Sequence, residues 1–510
     1  MLGFGQVSGI KNAVKRFGSE RVFRIALALL AISALALYSS GISGCFYPMD
    51  TPFYLTSAAG IARGQGYVCA NMPHPEAATT FPPLAPVVYA LPILLFGVDM
   101  RATAWAAVLL TAFSIIPAAF IFRKFFSRGI SLLLTALLAF SPTIMWYSAI
   151  QLSEPPFLLV SLIGIYYALN YAERGGRTEM LLAALFLSLA AYTRVIGLIF
   201  LPAVLVYFLA ERKLKQGLPL FAAMLLLTLP WLVYLAATPP QSSLPTYADP
   251  YKELLSQKGT AGLAEMALTN AGNYAASAIP GAIFFPSGLA GMLIPYPLAN
   301  LRQAVEFAIF PFALFIFLFG LFCARTEQRK RFLAFLAIIY FITLIFNPAY
   351  SAATANRHMF PAVPFLLLFF ALGLRRLQGV WMPRRALPAI LVLMLVCGSI
   401  VSINMPWLMR NRCSDYNYTA FERLANEVVE RTPEGAVIWV SQPEKLFLMT
   451  GRLSAYHPAG SAGELLAMWQ REGVDYVLIS PYADPNLKYM DIRGGNSLMP
   501  VGDAIQSLKK

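Results

Sequence analysis

Residues 24–43, RIALALLAISALALYSSGIS, form a run of mostly apolar residues that is long enough to cross a bilayer as one helix. Similar runs recur along the chain of 510 residues, in which 58% of the residues are hydrophobic and 13% are charged. Mean hydropathy is +0.62. Soluble globular proteins have about one quarter charged residues. The composition therefore indicates a polytopic α-helical membrane protein, and it excludes a disordered chain, a coiled coil and a disulfide scaffold.

The apolar runs predict eleven membrane-spanning helices. They lie at about 24–43, 104–122, 130–148, 155–171, 179–193, 195–210, 218–236, 306–323, 332–347, 360–374 and 386–404. None contains an Asp, Glu, Lys or Arg away from its ends. Ion-coupled transporters and proton pumps need ionisable groups inside the membrane, so this absence disfavours transport by such a mechanism.

Basic residues orient these helices in the membrane. They are clustered near residues 11–24, 123–128, 174–177, 212–215, 325–331 and 375–385, which are alternate connections between the predicted spans. By the positive-inside rule these connections, and the N-terminus, are cytoplasmic. The first span is a retained anchor, because no A-x-A cleavage site follows it. The net charge of +14 is thus mainly topological, and we expect no nucleic-acid partner.

The run 84–97, LAPVVYALPILLFG, is apolar but too short to span, and it contains two prolines. A span here would also reverse the side of every later basic cluster. We therefore predict a surface helix on the outer face, within a first external loop at 44–103. A second large external loop is predicted at 237–305.

The composition changes to that of a soluble protein after residue 404. Strand patterns at 436–441 and 474–480 and helical patterns at 417–431 and 461–472 predict a small α/β domain. Residues 1–404 then form the transmembrane module, and residues 405–510 form the appended domain. Eleven spans and a cytoplasmic N-terminus place this domain on the extracytoplasmic side.

Two acids at the predicted outer interface are the strongest candidates for chemistry. Asp50 follows the first span, and Glu154 begins the fourth. Either could be explained by helix capping, with Asp50 or Thr51 as one cap and Ser153 as the other. Alternatively, the two carboxylates share one surface, where they could accept a hydroxyl proton or help to hold a divalent cation.

Two arginines lie on the same predicted outer side, against the positive-inside bias. Arg194 and Arg357 could bind an anion, because the guanidinium group matches two phosphate oxygens. They could also reach lipid headgroups. Tyr54, His74 and His358 complete the predicted substrate-binding residues, although a stiff connector is the favoured explanation of His74.

Six motifs, in order, resemble those of the GT-C superfamily of integral-membrane glycosyltransferases, in the branch of protein O-mannosyltransferases and the lipid A aminoarabinose transferase. The resemblance covers about residues 20–375 and rests on residues 50–54 (DTPFY), 64–67 (GQGY), 82–86 (PPLAP), 153–155 (SEP), 193–198 (TRVIGL) and 357–364 (RHMFPAVP). Val195 and His358 replace a family proline and tyrosine, and Asp50 has no acidic neighbour.

This resemblance implies a GT-C-like fold and transfer of a hexose or pentose from a polyprenyl-phosphate carrier to an acceptor hydroxyl. It implies that Asp50 is the general base, that Glu154 orients the acceptor or shares that role, and that Arg357 and Arg194 stabilise the leaving phosphate. The enzyme would lie in a bacterial inner membrane, in contact with membrane lipids. The sequence assigns no metal ligand and does not require a cation. A lipid-linked polymer ligase, a transporter or flippase, and a non-catalytic scaffold remain alternatives.

Overall fold

The chain is a helical membrane bundle with a small mixed α/β unit after it. A computed structural model describes residues 20–44, 50–239, 249–283, 299–348, 352–378, 381–383, 385–411, 416–455, 461–479 and 497–506. The first ten helices are α1 Glu20–Ser39, α2 Thr51–Ala62, α3 Leu84–Phe96, α4 Met100–Arg123, α5 Arg128–Ala139, α6 Pro142–Ser148, α7 Glu154–Arg174, α8 Arg177–Thr193, α9 Phe200–Ala210 and α10 Leu214–Ala237. A 3-10 turn, Val195–Ile199, precedes α9.

The second half of the bundle follows the predicted second loop. Its helices are α11 Asp249–Asn273, α12 Ile279–Ile283, α13 Ala299–Cys323, α14 Gln328–Ile345, α15 Ala352–Met359, α16 Val363–Leu377 and α17 Ala386–Asn411. Two irregular turns, a π-helical Tyr274–Ala278 and a 3-10 Phe360–Ala362, join α11 to α12 and α15 to α16. The loop predicted at 237–305 therefore contains α11 and α12, and α13 begins inside its predicted end.

Each predicted span coincides with a helix or a helix pair, and the protein is a multi-span membrane protein. Among the described residues, seven helices are long and apolar enough to cross a membrane, or eight if α5 and α6 form one span. These two are bent by 50° because Pro142, at the start of α6, cannot continue the helix. The total of eleven spans stays a prediction.

Helix α3, at the short run 84–97, exposes an apolar face. Val87, Leu91, Leu94 and Leu95 are exposed at helical spacing, whereas residues such as Tyr89 on the opposite face are buried. An exposed apolar stripe on a helix that packs on the bundle by its other face suits the lipid interface.

Helices α13 and α16 cross at a pair of glycines. A Cβ atom built on Gly320 would lie 1.8 Å from the Phe369 carbonyl oxygen, and one on Gly373 would lie 2.2 Å from the Ile316 carbonyl oxygen. Only glycine permits this backbone approach, which is a common basis of helix association in membranes.

The unit after the bundle is built on a four-stranded sheet of order β2-β1-β3-β4. Its elements are α18 Tyr416–Arg431, β1 Val437–Trp439, α19 Pro443–Thr450, β2 Leu453–Ala455, α20 Ala462–Glu472, β3 Tyr476–Ile479, β4 Ser497–Pro500 and α21 Val501–Gln506. Strand β1 pairs in parallel with β2 and β3, and β4 is antiparallel to β3. The sheet and helices agree with the predicted α/β content, and β2, β4, α19 and α21 are additional to it.

Both faces of this sheet are covered by helices. Ile438 packs in a cluster with Phe421 of α18, whereas Trp439 packs on the other side with Trp469 of α20. Successive strand residues point to opposite faces, so two adjacent buried residues require two cores.

Helix α19 joins this unit to the bundle, and it packs against α2. Phe447 of α19 lies in the bundle core, and the Arg63 guanidinium stands 4.8 Å from the centre of its ring. The Asn71 backbone carbonyl accepts a hydrogen bond from the Ser454 backbone N–H at 2.7 Å, and the Asn71 side-chain amide donates to the Ser454 backbone carbonyl at 3.2 Å. The unit is thus fixed to the helix that follows Asp50.

Replacing Gly373 by alanine should separate α13 from α16. Because its Cβ would overlap a backbone oxygen that has little room to move, we expect the free energy of unfolding to fall by about 1–3 kcal/mol. Gly129→Ala is the matched control, since a Cβ there meets nothing within 4 Å. Thermal unfolding of both variants in detergent tests this; equal stability of the two would contradict the crossing.

Burial raises the pKa of the Glu444 carboxyl in α19 from its ordinary value of 4.5 to about 7. The folded state therefore binds a proton more tightly than the unfolded chain, so this stability is present below pH 4.5 and is lost as the pH rises through about 7. Glu444→Gln should remove this dependence and stabilise the protein at pH 8 by up to about 3 kcal/mol. Unfolding at pH 5 and pH 8 measures it, with Glu430→Gln, at an exposed position of α18, as the control.

Candidate active site

The predicted acids and arginines meet at one end of the bundle. Asp50 directly precedes α2, Glu154 is the first residue of α7, Arg194 follows α8, and Arg357 lies near the end of α15. These four residues, which we call the charge cluster, come from four separate chain segments. The structure therefore brings the four residues together, although Glu154 is buried rather than at the surface.

Glu154 is the centre of the cluster. Its side chain is 0% exposed, and it forms ion pairs with both Arg194 and Arg357. The Arg357 guanidinium contacts both carboxylate oxygens, through Nε to Oε1 and through Nη2 to Oε2 at 3.3 Å. A buried carboxylate costs several kcal/mol of desolvation, so two cationic neighbours are what make its ionised form tolerable here.

Arg357 connects the buried acid to the accessible one. Its Nη1 donates to Asp50 Oδ2 at 2.7 Å. The Asp50 side chain is 32% exposed, compared with 9% for Arg357 and 16% for Arg194. Accessibility therefore increases from Glu154 through the arginines to Asp50, and Asp50 is the member of the cluster that a substrate can reach most readily.

Asp50 and Ser153 occupy the N-cap positions of α2 and α7, but the side-chain hydrogen bonds of the helix-cap explanation are absent. Instead, Ser153 Oγ accepts hydrogen bonds from the Tyr54 hydroxyl at 2.9 Å and from Arg194 Nη1 at 3.2 Å. The polar groups that could have satisfied the helix ends are used to connect α2, α7 and Arg194.

His358 lies beside the charge cluster and forms hydrogen bonds with two tyrosines. Its Nδ1 is 2.8 Å from the Tyr274 hydroxyl, and its backbone carbonyl accepts from the Tyr340 hydroxyl at 2.6 Å. Tyr274 begins the π-helical turn after α11, and such turns are frequent at functional sites. The second predicted loop therefore contributes a residue next to Arg357.

His74 is not part of this arrangement. It is exposed in the segment between α2 and α3. Within the described part of the chain, no hydrogen bond or ion pair joins it to the charge cluster. The sequence instead missed Ser153, Tyr274 and Tyr340 as hydrogen-bonding residues around the cluster, as well as Tyr89, whose hydroxyl donates to the Leu152 carbonyl at 2.6 Å. Tyr340 carries no sequence signal, because it lies in an apolar run.

The cluster as arranged does not fit a divalent cation. The described residues contain no group of three or more His, Cys, Asp and Glu side chains that could hold a metal ion. The two carboxylates that could share one are instead connected by the guanidinium group of Arg357. We therefore derive no step that uses a metal.

Comparison with known proteins supports the superfamily resemblance. Residues 80–234 match the family model described as dolichyl-phosphate-mannose-protein mannosyltransferase, a range that includes Glu154 and Arg194. The fold is similar to the crystal structure of ArnT from Cupriavidus metallidurans bound to undecaprenyl phosphate, with a TM-score of 0.57 and 15% sequence identity. That match covers 91% of this chain and 96% of ArnT.

The chain has the GT-C fold. It is also similar to the archaeal oligosaccharyltransferase AglB from Archaeoglobus fulgidus in complex with an inhibitory peptide and a dolichol-phosphate. This match has a TM-score of 0.54 and 13% identity, and it covers 92% of this chain and 70% of AglB. No curated protein sequence matches the chain significantly.

Removing Arg194 should expose the electrostatic coupling in the cluster. Arg194→Met leaves buried Glu154 with one cation fewer, so we expect the free energy of unfolding to fall by about 3–5 kcal/mol. In a Glu154→Gln background the same change should cost much less, because no buried carboxylate remains to be paired. Thermal unfolding of the four proteins gives the coupling; strictly additive losses would show that the two residues act independently.

Proposed function

We propose that the protein is an inverting membrane glycosyltransferase that moves a hexose or pentose from a polyprenyl-phosphate donor to an acceptor hydroxyl. The observation that carries the proposal is the composition of the charge cluster. One accessible carboxylate, Asp50, lies at hydrogen-bonding distance from a guanidinium group that a second, buried carboxylate holds in place. A base and an anion-binding group are the two functions that this reaction needs.

In the reaction, the Asp50 carboxylate accepts the proton of the acceptor hydroxyl. The acceptor oxygen forms a bond to the anomeric carbon as the bond from that carbon to the phosphate oxygen breaks. The polyprenyl phosphate leaves with the electron pair of the broken bond, and the configuration of the anomeric carbon inverts. A positioned base of this kind contributes about 10²–10⁴-fold in rate.

Arg357 and Arg194 stabilise the charge that develops on the leaving phosphate. Guanidinium groups suit this role because they donate two parallel hydrogen bonds to phosphate oxygens. Arg357 Nη1 donates to Asp50 before substrate binds, so a donor phosphate that takes over this Nη1 would also release the Asp50 carboxylate to act as the base. Donor binding would then replace the hydrogen bond from Arg357 to Asp50 with one to the phosphate, and the same exchange would prepare Asp50 to activate the acceptor.

Glu154 acts as the positioning residue in this scheme. It is buried and paired with both arginines, and it fixes their planes relative to Asp50. Tyr54 supports the same arrangement through Ser153, and His358 borders it from α15. His74 remains a candidate for acceptor contacts at the exposed loop rather than for the chemistry.

The membrane arrangement belongs to the same proposal. Residues 1–404 form the transmembrane module and residues 405–510 the appended domain. Lys124 and Arg329 each form an ion pair with Glu173 at 3.0 Å, near helix ends that are far from the charge cluster. By the positive-inside rule, these ends face the cytoplasm of a bacterial inner membrane, and the charge cluster and the appended domain face outwards.

The fold neighbours support the proposed donor class. ArnT was crystallised with undecaprenyl phosphate, and AglB was solved with a dolichol-phosphate. A direct assay would offer radiolabelled undecaprenyl-phosphate mannose and undecaprenyl-phosphate arabinose to the purified full chain, with membrane extract as acceptor. Acceptor-dependent release of undecaprenyl phosphate supports a transferase. Movement of intact donor across a vesicle bilayer would favour a flippase, and transfer of only a lipid-linked polymer would favour a ligase.

Asp50→Asn should lower the transfer rate by about 10²–10⁴-fold, since the amide cannot accept the hydroxyl proton. Asp99→Asn is the matched control. Asp99 is predicted to lie on the same outer side, but its carboxylate caps α4 by accepting from the backbone N–H groups of Arg101 and Ala102. It should keep near wild-type transfer. A normal rate for Asp50→Asn would eliminate Asp50 as the base.

A further inference from the structure

A cleft at the other end of the bundle has no part in the proposed chemistry. It encloses about 530 Å³ between the last turns of α13 and α16 and the segment that leads into α14. Helix α16 begins at Val363, just after the charge cluster, and its 15 residues span about 22 Å at 1.5 Å per residue. The cleft is therefore a separate feature at the predicted cytoplasmic ends of these helices. We call it the basal cleft.

The charge of the basal cleft is strongly positive. Arg325, Lys330, Arg375 and Arg376 line it, and Glu327 is its only acidic lining residue among those described. Basic residues at helix C-termini are common for topological and dipole reasons. Four basic residues around one cavity of this size form a more specific arrangement. Their charges repel one another, and a bound anion would reduce that repulsion.

Two of these basic residues are available to such an anion. Lys330 forms an ion pair with Glu327, and Arg375 Nη1 donates to the Phe125 carbonyl at 2.9 Å. Arg325 and Arg376 are exposed, and neither forms an ion pair with another residue in the described part of the chain. The Arg325 guanidinium lies 3.8 Å from the centre of the Phe322 ring, which holds it at the mouth of the cleft without neutralising its charge.

The remaining wall of the cleft is apolar and continues onto the lipid-facing surface of α13. Phe319 and Phe322 line the cleft, and Phe315 stacks on Phe319 one turn away, with ring centres 6.0 Å apart. Phe315, Leu318 and Phe322 are exposed. A hydrocarbon chain that lies along these side chains would have its polar end at Arg325. A free anion would not use this surface.

We propose that the basal cleft binds one anionic phospholipid, with its phosphate headgroup at Arg325 and Arg376 and an acyl chain along Phe315, Phe319 and Phe322. Basic pockets between membrane helices on the cytoplasmic side are suited to such headgroups. The lipid would occupy the cleft at the last turns of α13 and α16, next to their glycine crossing. It would act as a resident structural lipid that is independent of the sugar donor.

Native mass spectrometry of the delipidated full chain, titrated with phosphatidylglycerol or phosphatidylcholine, tests this proposal. The wild type should retain one phosphatidylglycerol in strong preference to phosphatidylcholine. Arg325→Gln/Arg376→Gln should weaken phosphatidylglycerol binding by about tenfold or more, as each basic residue near an anionic headgroup contributes roughly one factor of five. Arg174→Gln/Arg177→Gln removes the same charge from exposed positions on the same predicted face, and it should leave binding unchanged.

Equal losses in the two double variants, or equal binding of the two lipids by the wild type, would overturn the proposal. Displacement of the lipid by millimolar inorganic phosphate would identify a soluble-anion site instead, and would also overturn it. The wild-type lipid preference needs no variant, so the test stands even if a variant does not fold. A photoactivatable acyl chain on phosphatidylglycerol should label the peptide that contains Phe315–Phe322, and labelling confined to other helices would contradict the assigned position.

Discussion

The ionised carboxylate of Glu154 is buried inside a membrane protein, and the arrangement of the outer ends of several helices depends on it. An unpaired carboxylate in such a place would cost many kcal/mol or take up a proton. The chain avoids both outcomes by bringing Arg194 and Arg357 to Glu154 from segments that are 40 and about 200 residues away. The segments that hold these residues can therefore pack in only a few relative positions.

This constraint also explains why Asp50 is where it is. Once Glu154 has fixed the Arg357 guanidinium, one of its nitrogens, Nη1, points towards the start of α2 and meets Asp50. Helix α2 packs against α19, and the segment after α2 is joined to the appended unit by the pair of hydrogen bonds between Asn71 and Ser454. The appended α/β unit thus contacts the chain segment that begins with the accessible acid, Asp50.

Much of this arrangement could be predicted from the sequence, because its signals are local. Long apolar runs determine the helices, and the alternation of basic clusters predicts which ends share a side. That was enough to group Asp50, Glu154, Arg194 and Arg357. The GT-C motifs pointed to the same residues, and the fold comparison confirms that resemblance.

The sequence could not reveal interactions that exist only between distant segments. Asp50 and Ser153 look like helix caps locally, and only the packing of α2, α7 and α15 shows that their oxygens are used elsewhere. Tyr340 lies in an apolar run, so the hydrogen bond that its hydroxyl donates to the His358 carbonyl could not be predicted. Strands β2 and β4 are as short as β1 and β3, but they lack the apolar runs that mark those two strands, and they are defined by their pairing with β1 and β3.

The central claim is that Arg357, held by buried Glu154, recognises the phosphate of a polyprenyl carrier. Binding of undecaprenyl phosphate and of uncharged undecaprenol to the wild type and to Arg357→Gln tests it most directly. The wild type should bind the phosphate much more tightly than the alcohol, and Arg357→Gln should lose most of that difference while its affinity for the alcohol is unchanged. Equal discrimination by the two proteins, or none by the wild type, would contradict the account.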